Sequence, residues 1–275
     1  MTANVDTAWY RPFEPPATLR GIVSCSWEAR PGGTHRLTPD GCTDLLHVSD
    51  GTFVLCGPER RSWTFRLPVG STAVGVRFRP GGAHVVFGLD VSTITDRRVD
   101  LAALIGDDDA SSIAGAIVRS DALGARRRRL LAEVGRLIEQ RADVSGDLAA
   151  FADLVLEMLL ASPRATSHDL AAATSVSVRE LHRRSCRVFG YGTATLARIL
   201  RFQRLVALAA ADVGARPLAA LAADAGYSDH AHLVRDCRAI TARTPSEYFA
   251  EYFPTFPDLA DPYKTVSPLV ATLEG

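Results

Sequence analysis

The segment from Leu221 to Tyr248, LAADAGYSDHAHLVRDCRAITARTPSEY, constrains the fold of this chain more than any other stretch. Gly226 interrupts a short apolar helical pattern, and glycine adopts the left-handed backbone of a tight turn at the lowest cost. Just beyond it, Ser228 or Asp229 can accept hydrogen bonds from the first free N–H groups of a second helix. The segment therefore predicts two short helices joined by a glycine turn.

The second of these helices has two contrasting faces. Leu233, Cys237 and Ile240 fall on one side at helical spacing, which predicts that this side is buried. The opposite side carries Ala231, Val234, Arg235 and Arg238, with His230 near its edge. Two short helices around a tight turn, the second basic on its outer face, are typical of a helix-turn-helix, in which the second helix enters the major groove of DNA.

A further helix is predicted at Thr244, which can act as its cap, with proline at the first helical position and Glu247 completing a capping box. In this stretch, the order Leu-Ala-x-x-x-Gly-Tyr-x-Asp, His-Leu-x-Arg and Thr-Pro-x-x-Tyr resembles the second helix-turn-helix of AraC-type transcription regulators. The chain departs from the family pattern at Leu233 and Cys237, where Phe is usual, and at Ala242, where Gly is usual.

The same pattern occurs earlier in the chain. The segment from Leu170 to Ser175 aligns with the segment from Leu221 to Gly226, so that serine stands where the second copy has its turn glycine. A capping box from Ser177 to Glu180 predicts the start of the first recognition helix. Between the copies, residues 193–211 predict one helix of roughly 27 Å at 1.5 Å per residue. That length suits two helices reading DNA one helical turn, ~34 Å, apart.

The resemblance implies DNA contacts at the outward positions of both recognition helices. In the first helix these positions are Arg179, His182 and Arg183, and in the second they are His230, Ala231, Val234 and Arg235. Arginine can pair with guanine, histidine can donate to a base edge or a phosphate, and small apolar groups can touch a thymine methyl. Ser177 and Asp229 complete the predicted set, although helix capping explains them better. His232 is predicted to pack rather than to read bases.

The amino-terminal half predicts a β-rich domain. Short β segments separated by turn residues run from Thr18 to Phe87, which indicates a sandwich or a barrel, and a helix is expected at residues 84–87. The segments 35–41 and 75–81 resemble a poorly characterised amino-terminal domain carried by one branch of AraC-type regulators. In the wider family this half is frequently a cupin-like barrel, and the resemblance implies that it senses a small-molecule effector or dimerises.

These patterns predict an α+β protein: a β-rich domain at 1–105 with an irregular lead-in over residues 1–16, a linker and helix at 106–145, an all-α domain with two helix-turn-helix motifs joined by a long helix at 146–253, and a tail at 254–275. Residues 106–120 are interpreted as a connection and residues 147–160 as a buried helix.

The helix at 126–141 carries an apolar stripe from Leu130 to Ile138, which suggests a homodimer contact. The four arginines that open it are expected to be solvated or paired with nearby acids, with DNA phosphate as the alternative.

The charge distribution supports the division into two halves. The chain has 31 basic and 31 acidic residues, so its net charge alone does not indicate a nucleic-acid binder. Between Arg164 and Arg243, however, 12 arginines face 6 acidic residues. A basic segment balanced by an acidic one fits a DNA-binding domain joined to another domain, although a solvated helical surface would give the same excess.

The five cysteines form no CxxC pair, and the start of the chain lacks a secretion signal. No uncharged stretch reaches the ~18 residues of a membrane span, so a cytoplasmic protein without disulfides is expected. Five residues of the amino-terminal half could act as metal ligands, namely Cys25, His35, Cys42, His47 and Cys56. Their spacing fits no zinc template, which favours packing and no cofactor. Asp40 and Asp44 could form an acid pair, but a turn residue and a strand-edge residue explain them better.

The sequence thus predicts a sequence-specific transcription regulator of the AraC type, either an activator or a repressor, with no catalytic activity. Its predicted partner is double-stranded DNA, and RNA polymerase, a small-molecule effector and a second copy of the chain are further candidates. The competing hypothesis is a β-barrel enzyme or a protein-interaction module with a helical tail that does not bind DNA. No nucleophile elbow, phosphate loop or HExxH motif supports an enzyme.

Overall fold

The computed structural model describes residues 9–30, 33–141, 146–212 and 216–252. The predicted tail at 254–275 and the first eight residues lie outside the described residues. Within them the chain is α+β, with a β-rich amino-terminal domain followed by a helical region, as the sequence predicts.

The amino-terminal domain is built from two antiparallel sheets. Its strands are β1 (Tyr10–Phe13), β2 (Val23–Ala29), β3 (Gly33–Leu37), β4 (Thr43–Val48), β5 (Phe53–Cys56), β6 (Trp63–Leu67), β7 (Ala73–Phe78) and β8 (Arg98–Asp100). Six of them form one sheet in the order β1-β2-β7-β4-β5-β8, while β3 and β6 form a separate two-stranded ribbon. The range in which the sequence predicts short β segments, residues 18–87, contains β2 to β7, so that prediction is confirmed.

The lead-in predicted to be irregular over residues 1–16 is wrong for Tyr10–Phe13, which form β1. This strand pairs with β2 on one side only and contains Pro12, which lacks an N–H. Edge strands tolerate proline because one row of their N–H groups is left without a ladder partner. The sequence pattern therefore reads as a loop even though the backbone is a strand.

Side-chain alternation gives the six-stranded sheet two distinct apolar faces. Leu45, Leu55 and Val76 belong to a core that faces four helices. Trp27 and Val48 belong to a smaller cluster on the opposite face, which the ribbon β3–β6 covers. The period of two along each strand separates these sets, as expected for a sheet that is buried on both faces.

The helices on the first face are α1 (Gly82–Phe87), α2 (Leu101–Ile105), α3 (Asp107–Val118) and α4 (Leu123–Arg141). The apolar stripe of α4 lies against the sheet, and Leu130 and Val134 are both 0% exposed. The stripe is thus part of the domain core, and the predicted dimer contact through it is wrong. Apolar residues that repeat every 3.6 positions identify the buried face of a helix, but they do not show whether the same chain or a second copy covers that face.

The interpretation of residues 106–120 as a connection is also wrong, because α3 occupies Asp107–Val118. Ala110, Ile113 and Ile117 face the core at helical spacing. Asp107, Asp108 and Asp109 form its first turn, where negative charge is favourable next to the free N–H groups. The acidic run therefore starts a helix that belongs to the amino-terminal core.

The arginine run that opens α4 is not uniformly solvated. Arg127 is buried, donates from Nε to Glu28 Oε1 over 2.9 Å and from Nη1 to Ser26 Oγ over 2.7 Å, and lies 3.7 Å above the ring of Phe13. It ties the helix to β1 and β2. The expectation of solvation or of pairing with nearby acids is therefore wrong for Arg127, whose acidic partner lies on a strand 99 residues away in the sequence.

The carboxy-terminal region consists of α5 (Gly146–Ala161), α6 (Ser167–Ala173), α7 (Val178–Phe189), α8 (Thr193–Asp212), α9 (Leu218–Asp224), α10 (His230–Thr241) and α11 (Pro245–Tyr252). The helix α8 is shared by three apolar clusters. Leu196 and Ile199 pack with α5, α6 and α7, whereas Phe202 and Val206 pack with α10 and α11. Leu205 and Ala209 pack with α9 and α10. One rigid element therefore holds both helical pairs. None of the helices in the described part of the chain combines the length and apolarity needed to span a membrane.

Two left-handed turns in this region are occupied by residues other than glycine. Ser175, between α6 and α7, has a φ of 54°, and Ala242, after α10, has a φ of 60°. In the equivalent turn of the second pair, Gly226 has a φ of 99°. Side chains with a Cβ atom are strained in this region of backbone space.

We expect Ser175→Gly to stabilise the protein by about 0.5–1 kcal/mol, because relief of strain exceeds the extra backbone entropy of glycine in the unfolded chain. Urea unfolding followed by circular dichroism measures the effect. Thr174→Gly is the matched control: Thr174 has a φ of −86° and its hydroxyl donates to the Leu170 carbonyl, so this change should destabilise. Equal shifts for the two variants would contradict the strain argument.

Candidate nucleic-acid interface

The first helical pair consists of α6 and α7, held together by a short apolar core. Leu170, Leu181 and Val188 are each 1% exposed. Ser177 is the N-cap of α7, and its Oγ accepts from the Glu180 N–H over 3.2 Å. In the described contacts only the Ser177 half of the predicted capping box is present. The Glu180 carboxylate does not bond back to the helix start, because it accepts from arginines further along α7.

Glu180 forms ion pairs with two arginines of its own helix. Its carboxylate accepts two bonds from Arg183, 2.8 and 2.6 Å long, and one of 2.7 Å from Arg184. These hydrogen bonds lower the pKa of Glu180 to about 2, so it is ionised at neutral pH. The charge of Arg183, a predicted DNA contact, is therefore partly compensated in the DNA-free protein.

The predicted outward residues of α7 do lie at its surface. Arg179, His182 and Arg183 are exposed. His182 also approaches the half-buried Cys186, with 3.5 Å between Nε2 and Sγ. The outer face of α7 thus presents two arginines and one histidine beside a helix start capped by Ser177.

The second pair, α9 and α10, repeats the arrangement with a glycine turn. A Cβ atom at Gly226 would lie 2.7 Å from the Pro163 Cβ, so glycine is required both for its backbone and for space. Asp229 caps α10 and accepts from the His232 N–H over 2.7 Å, and this bond lowers the pKa of Asp229. Of the two predicted capping candidates, Asp229 is the one used.

The faces of α10 are those that the sequence predicts. Leu233, Cys237 and Ile240 are at most 2% exposed and face the core. The opposite side presents exposed His230, Ala231 and Arg235 and half-buried Val234. Beyond α10, Thr244 and Glu247 form the predicted capping box of α11. The two helical pairs therefore each present one recognition helix with an inward apolar face and an outward polar face.

A buried ion cluster behind α10 is a feature that the sequence reasoning missed. Asp236, with 8% of its side chain exposed, lies 2.9 Å from Arg201 Nη2 and 3.2 Å from Arg198 Nε, both on α8. Its carboxylate is also 3.4 Å from His232 Nε2, and the His232 ring packs edge-on against Tyr227. The prediction that His232 packs agrees with this arrangement. The sequence signal for this cluster is Asp236 itself, an acidic residue on an otherwise basic helix, four residues after His232.

The amino-terminal domain holds the carboxyl ends of both recognition helices, which the sequence did not indicate. Thr95 Oγ1 donates to the Gly190 carbonyl, directly after α7, over 2.9 Å. The Ser62 N–H donates to the Ile240 carbonyl over 2.6 Å, and the Arg36 guanidinium donates to the Thr241 carbonyl. Carbonyl groups at a helix end lack partners within the helix, so these bonds satisfy one carbonyl after α7 and two at the end of α10.

A further bond joins the amino-terminal domain to the middle of α8. Gln203, which is fully buried, donates from Nε2 to the Pro39 carbonyl over 2.6 Å. Pro39 adjoins Asp40, which together with Asp44 binds the guanidinium of Arg77 at 3.0 Å. The two aspartates are therefore not an acid pair but the partners of one buried arginine.

The five candidate metal ligands of the amino-terminal half do not form a metal site in the described part of the chain. Across residues 9–30, 33–141, 146–212 and 216–252, no group of three or more His, Cys, Asp or Glu side chains could hold a metal ion. Cys25, Cys42 and Cys56 are buried thiols, and burial raises the pKa of Cys25 to about 11 and that of Cys56 to about 12. His35 stacks on Phe65 and His47 packs edge-on against Phe53. All of these positions are explained by packing.

Comparisons with known proteins identify both halves. Residues 170–251 match the family model of a helix-turn-helix domain, and residues 11–100 match that of a domain of unknown function, DUF6597. No curated protein is significantly similar to the chain. Among solved structures, a crystal structure of an apo ToxT variant from Vibrio cholerae is similar at 11% identity and a TM-score of 0.38, covering 79% of this chain and 88% of that chain.

Residues 170–251, which span both helical pairs, are thus an AraC-type helix-turn-helix domain. The helix-turn-helix match supports a DNA-binding transcription regulator, in which residues 11–100 match the DUF6597 domain model. Such helix-turn-helix domains bind DNA and are typically not enzymatic.

The Glu180 ion pairs lead to a prediction about salt dependence. We expect Glu180→Gln to raise DNA affinity, because the charge of Arg183 is then no longer compensated at the interface, and to steepen the slope of log affinity against log salt by about 0.9, the change for one additional positive charge. A filter-binding titration at several salt concentrations measures the slope. Glu133→Gln is the matched control, since Glu133 forms a similar i,i+3 pair with Arg136 on α4, away from the recognition helices. An unchanged slope for Glu180→Gln would contradict the prediction.

Proposed function

We propose that α7 and α10 read two successive major grooves on one side of double-stranded DNA. The observation that supports this is the shared helix α8, which has 20 residues and packs against both helical pairs. At 1.5 Å per residue it is about 30 Å long, comparable to the ~34 Å rise of one turn of DNA. A rigid connection of this length suits a site with two half-sites in the same orientation.

The proposed contacts follow from the exposed faces of the recognition helices. Base or phosphate contacts are assigned to Arg179, His182 and Arg183 on α7 and to His230, Ala231, Val234 and Arg235 on α10. Ser177 and Asp229 complete the proposed DNA-binding set as N-caps, because they orient the amino-terminal turns that face the groove. Arginine is the residue best suited to bidentate contacts with guanine.

The remaining proposals concern where the protein acts, what it contacts and what its amino-terminal domain does. The protein acts as a transcription regulator in the cytoplasm and contacts RNA polymerase. The DUF6597 domain responds to a small molecule, and the protein has no catalytic step of its own. The β-rich domain proposed at 1–105 takes part of its core from α3 and α4, so residues 107–141 function as part of it. A homodimer would need a surface other than the buried stripe of α4.

Selection of bound sequences from random DNA by the full-length protein tests the two-groove proposal. We expect a bipartite motif with its halves separated by one helical turn. A single short half-site would contradict the proposal, because one recognition helix would then make no base contacts. Failure to enrich any sequence, with or without added small molecules, would count against sequence-specific binding itself.

Substitution of the proposed readers should weaken binding in each half-site separately. We expect Arg183→Ala and Arg235→Ala each to lower affinity for the selected site by about 5- to 150-fold, the range for one specific arginine contact, and to relax specificity in one half only. Gel-shift titrations on sites with one randomised half measure this. Arg136→Ala on α4 is the control. Loss of specificity in both halves from one substitution would indicate misfolding rather than loss of a contact.

A further inference from the structure

A cavity lies between the ribbon β3–β6 and the second face of the six-stranded sheet. Its volume is about 270 Å³. All three tryptophans of the chain, Trp9, Trp27 and Trp63, line it, together with Phe65 and aliphatic side chains such as Leu46 and Val54. Trp63 and Phe65 on the ribbon are only half-buried, because the space in front of them is not filled by the sheet. The cavity therefore presents aromatic faces from both of its walls.

Apart from Arg66 on β6, which is exposed to solvent, the charged groups at the cavity already have partners. Arg77 is bound to Asp40 and Asp44, and Asp44 also accepts from the Trp27 indole N–H over 2.8 Å. Arg98 is paired with Glu59 at 2.6 Å and lies 3.5 Å above the ring of Trp63. A charged group buried in the cavity would have to break one of these pairs or stay without a buried partner, whereas an uncharged apolar ligand would do neither.

We propose that this cavity binds a small uncharged molecule with one or two aromatic rings, and that the ribbon transmits its presence to the second recognition helix. The size is adequate, because an apolar cavity of about 150 Å³ already accommodates benzene. Aromatic walls favour stacked or edge-on contact with such rings. Burial of the half-exposed inner face of the ribbon supplies the driving force.

The path to DNA runs through the ribbon itself. Leu37 and Trp63 face the cavity, and their chain neighbours Arg36 and Ser62 donate the two hydrogen bonds to the carbonyls at the end of α10. In the part of the chain that the structure describes, β3 and β6 pair only with each other. An isolated two-stranded ribbon is marginally stable, so a ligand packed against it restrains it and thereby the recognition helix. This coupling rests on the proposed role of α10 in reading DNA.

Ligand binding can be measured without DNA, because every tryptophan of the chain reports on the cavity. We expect benzyl alcohol and 2-naphthalenemethanol to change the tryptophan fluorescence of the full-length protein saturably and to raise its melting temperature. Benzoate and benzylammonium, of similar size but charged, should bind at least about tenfold more weakly, a difference of about 1.4 kcal/mol. Val54→Phe, which fills the cavity, should abolish the response. Equal binding of all probes, or no saturable binding, would overturn the proposed ligand class.

Coupling is tested on the DNA sequence that the full-length protein selects. We expect a saturating neutral probe to raise DNA affinity by about fivefold or more, the lower end of the usual range for coupled sites. Arg36→Met should bind the probe as well as the wild type but lose this effect on DNA. Arg61→Met is the matched control, since Arg61 is exposed and lies just before β6, and it should keep the effect.

The outcomes separate the two proposals. If DNA is bound with the bipartite motif but a saturating probe leaves affinity unchanged or lowers it, the coupling is wrong and the proposed function stands. If no DNA sequence is selected under any condition, the proposed function fails, whereas the fluorescence titration still decides whether the cavity binds the neutral probes.

Discussion

Replacement of Asp236 by alanine is expected to destabilise the second helical pair by about 3–5 kcal/mol, the usual cost of removing one partner from a buried ion pair. Arg201 would be left with 13% of its side chain exposed and without its carboxylate partner. Since Asp236 directly follows the proposed reader Arg235 and joins α10 to α8, the variant should also lose specific DNA binding.

Urea unfolding followed by helical circular dichroism measures this loss. Asp236→Asn should be intermediate, because the amide oxygen still accepts from Arg201 without compensating its charge. Asp224→Ala is the matched control: its carboxylate, 52% exposed, pairs with the exposed Arg216, and such pairs contribute about 0–1 kcal/mol. Equal stability of the Asp236→Ala and Asp224→Ala variants would show that the cluster behind α10 is not a stabilising feature.

Arg77→Met is expected to cost a similar amount, about 3–5 kcal/mol, because it leaves two carboxylates in the interior without a cation. The side chains of Asp40 and Asp44 are 15% and 17% exposed. The effect should extend beyond the amino-terminal domain, since Asp40 follows Pro39, whose carbonyl accepts from Gln203 on α8. We therefore expect weaker DNA binding as well as lower stability.

The same unfolding measurement tests this variant, with Arg60→Met as the control, because the Arg60–Asp96 pair is largely exposed. A second substitution, Asp44→Asn, should recover part of the stability lost in Arg77→Met by removing one of the two uncompensated charges. If Asp44→Asn instead adds its own full cost to that of Arg77→Met, the two residues do not act as a pair.

The helix-turn-helix units were predictable because local rules define them. A glycine turn at Gly226, an N-cap at Asp229 and an apolar face of Leu233, Cys237 and Ile240 are all written within 15 residues or so of each other, at helical spacing. The capping box at Thr244 is likewise local. Each of these patterns was found where the sequence placed it.

The features that were missed depend on partners distant in the sequence. Arg127 and Glu28 are 99 residues apart, Gln203 and Pro39 are 164 apart, and Arg36 and Thr241 are 205 apart. No local pattern encodes such pairs, so the sequence predicts solvated or locally paired arginines where Arg127 is buried against Glu28. The same limit applies to the DNA contacts, since exposure shows which side chains are free to reach a groove but not which bases they meet.

One bond between the domains joins the Thr38 and Tyr248 hydroxyls, and four further bonds divide their chemistry unequally. In each of them the acceptor is a main-chain carbonyl, at Pro39, Gly190, Ile240 or Thr241, and every amino acid can supply that group. Three donors are specific side chains, those of Arg36, Thr95 and Gln203. Substitutions at Pro39, Ile240 and Thr241 therefore leave the bond intact as long as the backbone keeps its path, whereas substitutions at the three side-chain donors remove a bond outright. Gly190 is the exception among the acceptors, because a Cβ atom there would lie 2.3 Å from Thr95 Oγ1, the donor to its own carbonyl. Sequence change is therefore permitted at three acceptors and restricted at Gly190 and at the three side-chain donors.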